Sequence, residues 1–236
     1  MQSYWINSKV NRKVKNNSFN DISDTIGVDE VGRGAWCGPV VACAILLKPS
    51  ILSFDSHKAI NDSKKISKKQ RENLEIFIKK HSIFSYGISV ANEIDSSNIK
   101  KATEHAMKRA CKPFLKYNYN IKIDGPNFFY LNKKTQFIIK GDQKSISIAS
   151  ASILAKVYRD RVMTNYSKLY PFYAWENNMG YGTKKHILGI IEHGLSPIHR
   201  LSFSPMKNIN THLIDNGRTT LTSKPSNIDS DNQTLP

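Results

Sequence analysis

Four carboxylates have the residue type and the spacing to do chemistry. Asp29 and Glu30 close an apolar run that starts at residue 25, and Asp124 and Asp142 close two later runs beside glycine. If the four meet in space, their repulsion raises their pKa values strongly unless divalent cations supply the opposing charge. An all-oxygen ligand set selects Mg²⁺ or Mn²⁺ over zinc, and a pair of such ions can support hydrolysis of a phosphodiester.

Each of these acids also has a simpler interpretation. Asp-Gly, as at residues 124–125, is a common turn pair, and Asp142 could cap the helix that follows it. The metal hypothesis therefore depends on the four acids as a set, together with the basic charge of the chain and the turn that follows Glu30.

That turn has the sequence Gly32-Arg33-Gly34. Glycine lets the main chain approach a ligand closely, and backbone N–H groups can bond phosphate or sugar oxygens. Ser63 and Lys64, in a polar loop, could contact phosphate in the same way. Both segments could equally be ordinary surface turns.

The charge balance favours a polyanionic partner. Lys and Arg total 35 against 19 Asp and Glu, a formal net charge of +16, and almost all of the surplus lies between residues 25 and 207. A surplus of this size is typical of nucleic-acid-binding proteins, although genome composition bias also produces Lys-rich chains.

Several classes of protein are disfavoured by what the sequence lacks. There is no G-x-S-x-G elbow, Walker phosphate loop or H-E-x-x-H pair, which argues against a serine hydrolase, a P-loop enzyme or a zinc protease. His186 and His193 stand without other ligands, so no zinc site is expected. Three cysteines without a C-x-x-C pair, and no apolar leader or membrane span, predict a soluble, cytoplasmic protein that does not associate with membranes.

The hydrophobic periodicity predicts an α/β domain. Apolar runs predict strands over residues 25–30, 39–47, 83–91, 119–123 and 135–139, and helical spacing predicts helices over 67–81, from 98 to about 114, over 146–169 and over 183–193. Antiparallel strands followed by strands that alternate with helices indicate one mixed five-stranded sheet flanked by helices, with a small C-terminal helical segment. We expect three regions: a flexible polar extension (1–24), the catalytic domain (25–207) and a disordered polar tail (208–236).

Taken together, these residues closely resemble the ribonuclease HII family, or type 2 ribonuclease H. The resemblance covers residues 26–205 and consists of blocks in a fixed order. These blocks are residues 29–34, 62–65, 98–110, 124–125, 141–142, 147–160, 180–183 and 199–203. The glycine-arginine-glycine turn favours this family over its sister, ribonuclease HIII, where threonine commonly replaces the arginine.

The resemblance implies a ribonuclease H-like fold and a metal-dependent endoribonuclease. Such an enzyme cuts the RNA strand of RNA–DNA hybrids and cuts on the 5′ side of a single ribonucleotide in duplex DNA, which leaves a 3′-hydroxyl and a 5′-phosphate. It also implies roles for particular residues. Two Mn²⁺ or Mg²⁺ ions would be held by Asp29, Glu30, Asp124 and Asp142; the backbone of Gly32, Arg33 and Gly34 would read the ribose 2′-hydroxyl; Tyr181 would stack on the adjacent sugar; and Ser63 and Lys64 would face phosphate.

The chain departs from the family pattern at a few positions. Met179 stands where lysine is usual, Trp36 and Cys37 are bulkier than the residues common after the glycine turn, and Ser150 interrupts an alanine run. We expect a monomer, and the sequence identifies no clamp or repair partner. Two other functions stay open at this point: a duplex-binding protein without catalysis, and a resolvase- or integrase-like nuclease that cuts all-DNA substrates.

Overall fold

The computed structural model describes residues 21–62, 67–204 and 206. Ser63 and Lys64 therefore lie outside the described residues, as do residues 1–20 and 207–236. The boundaries proposed for the extension and the tail stay predictions.

Five strands form one mixed sheet. They are β1 (Thr25–Val31), β2 (Val40–Leu47), β3 (Ser82–Ser89), β4 (Asn120–Asp124) and β5 (Thr135–Ile138). Their order across the sheet is β3-β2-β1-β4-β5. The first three strands pair antiparallel, whereas β1–β4 and β4–β5 pair parallel. The predicted fold class is confirmed.

Within the described residues, six helices of four or more residues accompany the sheet. They are α1 (Lys68–Lys80), α2 (Ala91–Asp95), α3 (Ile99–Cys111), α4 (Ile146–Leu169), α5 (Trp175–Asn178) and α6 (Lys184–His193). Short 3₁₀ segments lie at Pro49–Ser53, Asp55–Asp62, Lys112–Phe114, Gly141–Gln143 and Pro171–Tyr173. Serine or threonine starts several of the helices, because its hydroxyl accepts a backbone N–H that would otherwise lack a partner. Ser67 and Gln70 form a full capping box at α1, and Thr183 caps α6.

The start of α4 corrects one expectation about Asp142. Ser145 caps this helix, and its hydroxyl accepts the N–H of Ile148. Asp142 lies earlier, in the 3₁₀ turn Gly141–Gln143, and that turn begins after β5 has ended at Ile138. The alternative that Asp142 only caps the helix is therefore wrong, and Asp142 is a turn residue rather than a strand end.

Helices cover both faces of the sheet. Helix α3 packs on one face through Ala102 and Met107, and α1 and α4 pack on the other through Ile78 and Leu154. Because the sheet is covered on both sides, the interior strand β2 is buried along its whole length. A third, smaller cluster joins the C-terminal segment to the end of α4; its buried members are Cys37, Met163, Tyr173, Trp175, Met179, Ile190 and Met206.

The topology brings acidic residues to one edge of the sheet. β1 and β4 are parallel, with Val28 opposite Ile123, so Asp29 and Asp124 follow as the next residues at the same edge. Helix α4 runs beside β1, which puts its side chains directly beneath this edge. In the described part of the chain, no helix is both long and apolar enough to cross a bilayer.

Candidate active site

Asp29 and Glu30 form an electrostatically unfavourable pair. Asp29 is only 6% exposed, and its Oδ1 accepts the backbone N–H of Glu30 at 2.7 Å. Burial raises the pKa of Asp29 well above its ordinary value, and the charges of Glu30 and Asp124 raise it further. A hydrogen bond with the Ser152 side chain of α4 opposes this rise. Burial also raises the pKa of Glu30, and its ion pair with Arg33 at 3.2 Å opposes that shift.

Asp124 connects this pair to Asp142. The backbone N–H of Gly141 donates to Asp124 Oδ1 at 2.6 Å, which ties the 3₁₀ turn to the end of β4. Lys140, in the left-handed region at φ 55°, directs the chain into that turn. Asp142 is 7% exposed. The structure thus places Asp29, Glu30 and Asp124 together at one edge of the sheet, and it brings the turn that carries Asp142 next to Asp124.

This arrangement fits a divalent cation. The side chains offer oxygen ligands only, which is the donor set of Mg²⁺ or Mn²⁺. The pKa values of Asp29 and Glu30 are raised first by burial and then by neighbouring carboxylates, so their ionised forms are held there at a cost. A bound cation would remove that cost because its positive charge favours the ionised carboxylates.

The glycine turn lies directly beside the acids. Gly32 has a φ of 93°, and a Cβ there would lie 2.1 Å from Arg159 Nε, so only glycine fits at this position. Arg33 is exposed, and its side chain turns back to Glu30. A Cβ on Gly34 would lie 3.9 Å from Tyr181 Cε1. The structure therefore brings Tyr181, 36% exposed, next to the turn despite the long stretch of sequence between them.

Backbone contacts hold residues 180–182, here called the Tyr181 segment, in place. The N–H of Trp36 donates to Gly180 O at 2.8 Å, and the N–H of Arg200 donates to Trp36 O at 2.9 Å. The Trp36 ring covers Gly182, where a Cβ would lie 2.1 Å from the ring carbon Cζ2. The bulky Trp36 thus packs the turn against the segment that carries Tyr181.

Sequence reasoning assigned no role to two buried arginines beneath the turn. Arg159 and Arg200 are fully buried. Arg200 donates from Nε and Nη2 to Gly38 O and from Nη1 to Arg33 O. Burial lowers the pKa of Arg159, and burial together with the charge of Arg159 lowers the pKa of Arg200 to about 10. The sequence signal for Arg159 was its helical spacing with Ala155 and Met163, which puts it on the buried side of α4.

A buried histidine pair was also missed. His186 Nδ1 donates to Tyr181 O, and its Nε2 accepts from Trp175 Nε1. His199 Nδ1 accepts the N–H of Ser196, so its Nε2 carries the proton and donates to His186 Nε2 at 3.1 Å. Burial lowers the pKa of both rings, that of His199 to about 3.

These histidines resemble a metal site only in their spacing. With Cys37, their ligand atoms lie within 4.8 Å of one another. The Cys37 thiol donates to Gly180 O, His186 Nδ1 donates to Tyr181 O, and the two histidines bond each other. The cluster thus supports the segment that carries Tyr181 through hydrogen bonds.

Met179 has a structural role. Its side chain is 9% exposed and lies in the third cluster, and its φ of 50° turns the chain towards Gly180. Its backbone carbonyl accepts from Arg159 Nη1 at 2.8 Å. Of the other departures, Cys37 is buried in the same cluster and Ser150 is buried in α4.

Solved structures with the same arrangement of strands and helices define the class of protein. The ribonuclease H2 structure from Pyrococcus horikoshii has a TM-score of 0.63, with 21% identity over 80% of this chain and 98% of that one. A structure of Bst-RNase HIII in complex with Mn²⁺ has a TM-score of 0.68, with 17% identity over 83% of this chain and 72% of that one. At these identities the likeness shows the fold alone, and the fold is of the ribonuclease H type.

Sequence similarity gives the family. The family model for ribonuclease HII matches residues 26–206. Ribonuclease HII of Clostridium beijerinckii is 45% identical over 188 residues, which cover 79% of this chain and 69% of that protein. The chain belongs to the ribonuclease HII family, whose members are ribonuclease H enzymes, and the resemblance stated from the sequence is confirmed.

Proposed function

We propose that this protein is an endonuclease that hydrolyses the RNA strand of RNA–DNA hybrids and cuts on the 5′ side of single ribonucleotides in duplex DNA. The products carry a 3′-hydroxyl and a 5′-phosphate. One observation carries the proposal: the acidic edge formed by Asp29, Glu30 and Asp124 lies beside a glycine turn that contacts Tyr181. The parts needed to hold cations and to recognise a ribonucleotide are therefore adjacent.

Asp29, Glu30, Asp124 and Asp142 hold two divalent cations, Mn²⁺ or Mg²⁺, in this proposal. Support comes from the burial of Asp29 and Glu30 and their repulsion by Asp124, and from the Mn²⁺ bound by the structural neighbour Bst-RNase HIII. When bound, the cations supply the positive charge that lowers the pKa of an attacking water and stabilises the charge that develops on the phosphodiester. The hydrogen bonds from Ser152 to Asp29 and from Gly141 to Asp124 orient the carboxylates.

The glycine turn and Tyr181 recognise the ribonucleotide. The turn at Gly32, Arg33 and Gly34 presents main-chain groups without intervening side-chain bulk at the glycines, and these groups bond the 2′-hydroxyl that distinguishes RNA from DNA. The Tyr181 ring, at the far side of the turn, stacks on the adjacent sugar. The 2′-hydroxyl is read and does not act as the nucleophile. Ser63 and Lys64, outside the described residues, face phosphate in this proposal.

The test is a gel assay on a labelled DNA duplex that carries one ribonucleotide, beside an all-DNA duplex of the same sequence. Each is incubated with Mn²⁺, Mg²⁺ or EDTA. We expect metal-dependent cutting on the 5′ side of the ribonucleotide and an intact control. Tight, salt-sensitive binding without product would instead support a non-catalytic duplex-binding protein, and cutting of the control would support a DNA nuclease.

Two matched variants connect the activity to the acids. Asp29→Asn should abolish cutting and largely spare duplex binding. Asp55→Asn is the control, because Asp55 is a solvent-exposed acid whose side chain pairs with Lys58 on a 3₁₀ segment. Activity that survives Asp29→Asn, or that is lost in Asp55→Asn, would contradict the assignment.

A further inference from the structure

One buried side chain contacts both the glycine turn and Tyr181, the two features that recognise the ribonucleotide in the proposed function. Arg159, on the fourth turn of α4, lies beneath the glycine turn, and a Cβ on Gly32 would meet its Nε at 2.1 Å. Gly32 therefore rests directly on the Arg159 side chain. The conformation of the turn depends on where that side chain is held.

Three hydrogen bonds hold the guanidinium in place. Arg159 Nε donates to Pro39 O at 2.8 Å, Nη2 donates to Cys37 O at 3.1 Å, and Nη1 donates to Met179 O at 2.8 Å. Two of these carbonyls belong to the chain that leaves the glycine turn. The third belongs to the segment that leads into Tyr181, so one planar group bridges the two segments.

The same guanidinium also contacts Tyr181 itself. Its central carbon lies 5.5 Å from the centre of the Tyr181 ring, the distance of a cation–π contact. Arg159 thus touches the base of the turn, the backbone before Tyr181 and the face of the ring.

We infer that Arg159 is a positioning residue for ribonucleotide recognition, and that its guanidinium sets the spacing between the glycine turn and Tyr181. The inference rests on the proposed function. A planar fork with five N–H donors can bond three carbonyls and a ring face at once, whereas a lysine ammonium is a compact point charge that cannot reproduce this geometry. Discrimination between ribose and deoxyribose needs this fixed spacing because a misplaced hydrogen-bond partner loses most of its effect.

The experiment compares Arg159→Lys and Arg159→Met with two control variants on the same helix, Arg161→Lys and Arg161→Met. Arg161 is half-exposed and pairs with Glu75, away from the turn. Circular dichroism and thermal unfolding first identify the variants that fold; Arg159→Lys keeps the charge and serves if the methionine variant does not fold.

Fluorescence anisotropy in EDTA then measures the affinity of each protein for a duplex with one ribonucleotide and for the matching all-DNA duplex. We expect the Arg159 variants to lose roughly tenfold of the preference for the ribonucleotide, about the effect of one hydrogen bond, with little change in affinity for all-DNA. In Mn²⁺, KM for the ribonucleotide duplex should rise more than kcat falls. The Arg161 variants should keep the wild-type preference.

A residue with only a structural role would lower the fraction of active protein, and hence kcat, and leave KM and the preference unchanged. A folded Arg159→Lys protein with the wild-type preference would overturn the inference and leave the proposed function intact. A wild-type protein that neither prefers the ribonucleotide duplex in binding nor cuts it in Mn²⁺ would overturn both.

Discussion

Removal of the Asp29 charge should stabilise the metal-free protein and abolish its stabilisation by metal. Asp29 is buried, and its pKa is raised by burial and by the charges of Glu30 and Asp124. In Asp29→Asn, the new side-chain oxygen can keep the 2.7 Å hydrogen bond from the Glu30 N–H while the negative charge disappears. Only the unfavourable part of the interaction is lost.

The expected effect at neutral pH is a rise of at least ~1 kcal/mol in the free energy of unfolding, the lower end for relief of an uncompensated buried group. For a domain of this size, that corresponds to a melting temperature roughly 2–4 °C higher. The direction in which the free energy of unfolding changes with pH follows from the protons bound by the folded and unfolded states. A raised pKa means that folded wild type binds more protons than the unfolded chain above the ordinary Asp range, so wild type loses stability as pH rises there. The variant keeps the buried Glu30, whose pKa is also raised, and should therefore lose less.

Metal should reverse the order of stability. A cation at 100 times its dissociation constant stabilises wild type by about 2.7 kcal/mol, more than the variant gains without metal. The assay is thermal unfolding in EDTA and in a Mn²⁺ series, with Asp55→Asn as the control that should follow wild type in both. A lower melting temperature for Asp29→Asn in EDTA, or an equal Mn²⁺ shift in wild type and variant, would refute the reasoning.

Three further predictions concern the support of the site. The Ser150 hydroxyl is buried and bonds to no atom of the described residues. Ser150→Ala should therefore raise the free energy of unfolding by about 1 kcal/mol in urea titrations. The control Ser147→Ala loses a 2.7 Å hydrogen bond and should lower the free energy of unfolding. Gly182→Ala should cost about 1–3 kcal/mol because its Cβ would overlap Trp36, and adding Trp36→Phe should restore part of that loss; an undisturbed Gly182→Ala protein would show that the ring moves freely. The pKa of His199 is lowered to about 3, so on acidification this ring becomes protonated in the unfolded chain before it does in the folded protein. The free energy of unfolding should therefore fall as pH decreases from about 6 towards 3, by up to about 1.4 kcal/mol per pH unit. Urea midpoints at several pH values should show a shallower fall in His199→Gln, and parallel curves would contradict the prediction.

The sequence by itself determined the elements and the acidic set. Period-two and period-3.6 patterns, capping residues such as Ser67 and Thr183, and glycine turns are local signals, because the residues that produce them are neighbours along the chain. They were sufficient for the five strands and for the bounds of α4, whereas the role of the four carboxylates stays a prediction. The order of the motif blocks was sufficient for the family.

Only the tertiary structure decided how the site is supported. Arg159 bonds carbonyls about 120 residues earlier in the chain as well as one 20 residues later, and Arg200 bonds carbonyls more than 160 residues earlier. A buried cation has no local pattern, because what makes it tolerable is the set of oxygens that folding brings around it. The same holds for the neutral tautomers of His186 and His199, which depend on hydrogen-bond donors and acceptors from several segments. The sequence supplies the side chains of the site and of its support, and packing sets their charge states and the distances between them.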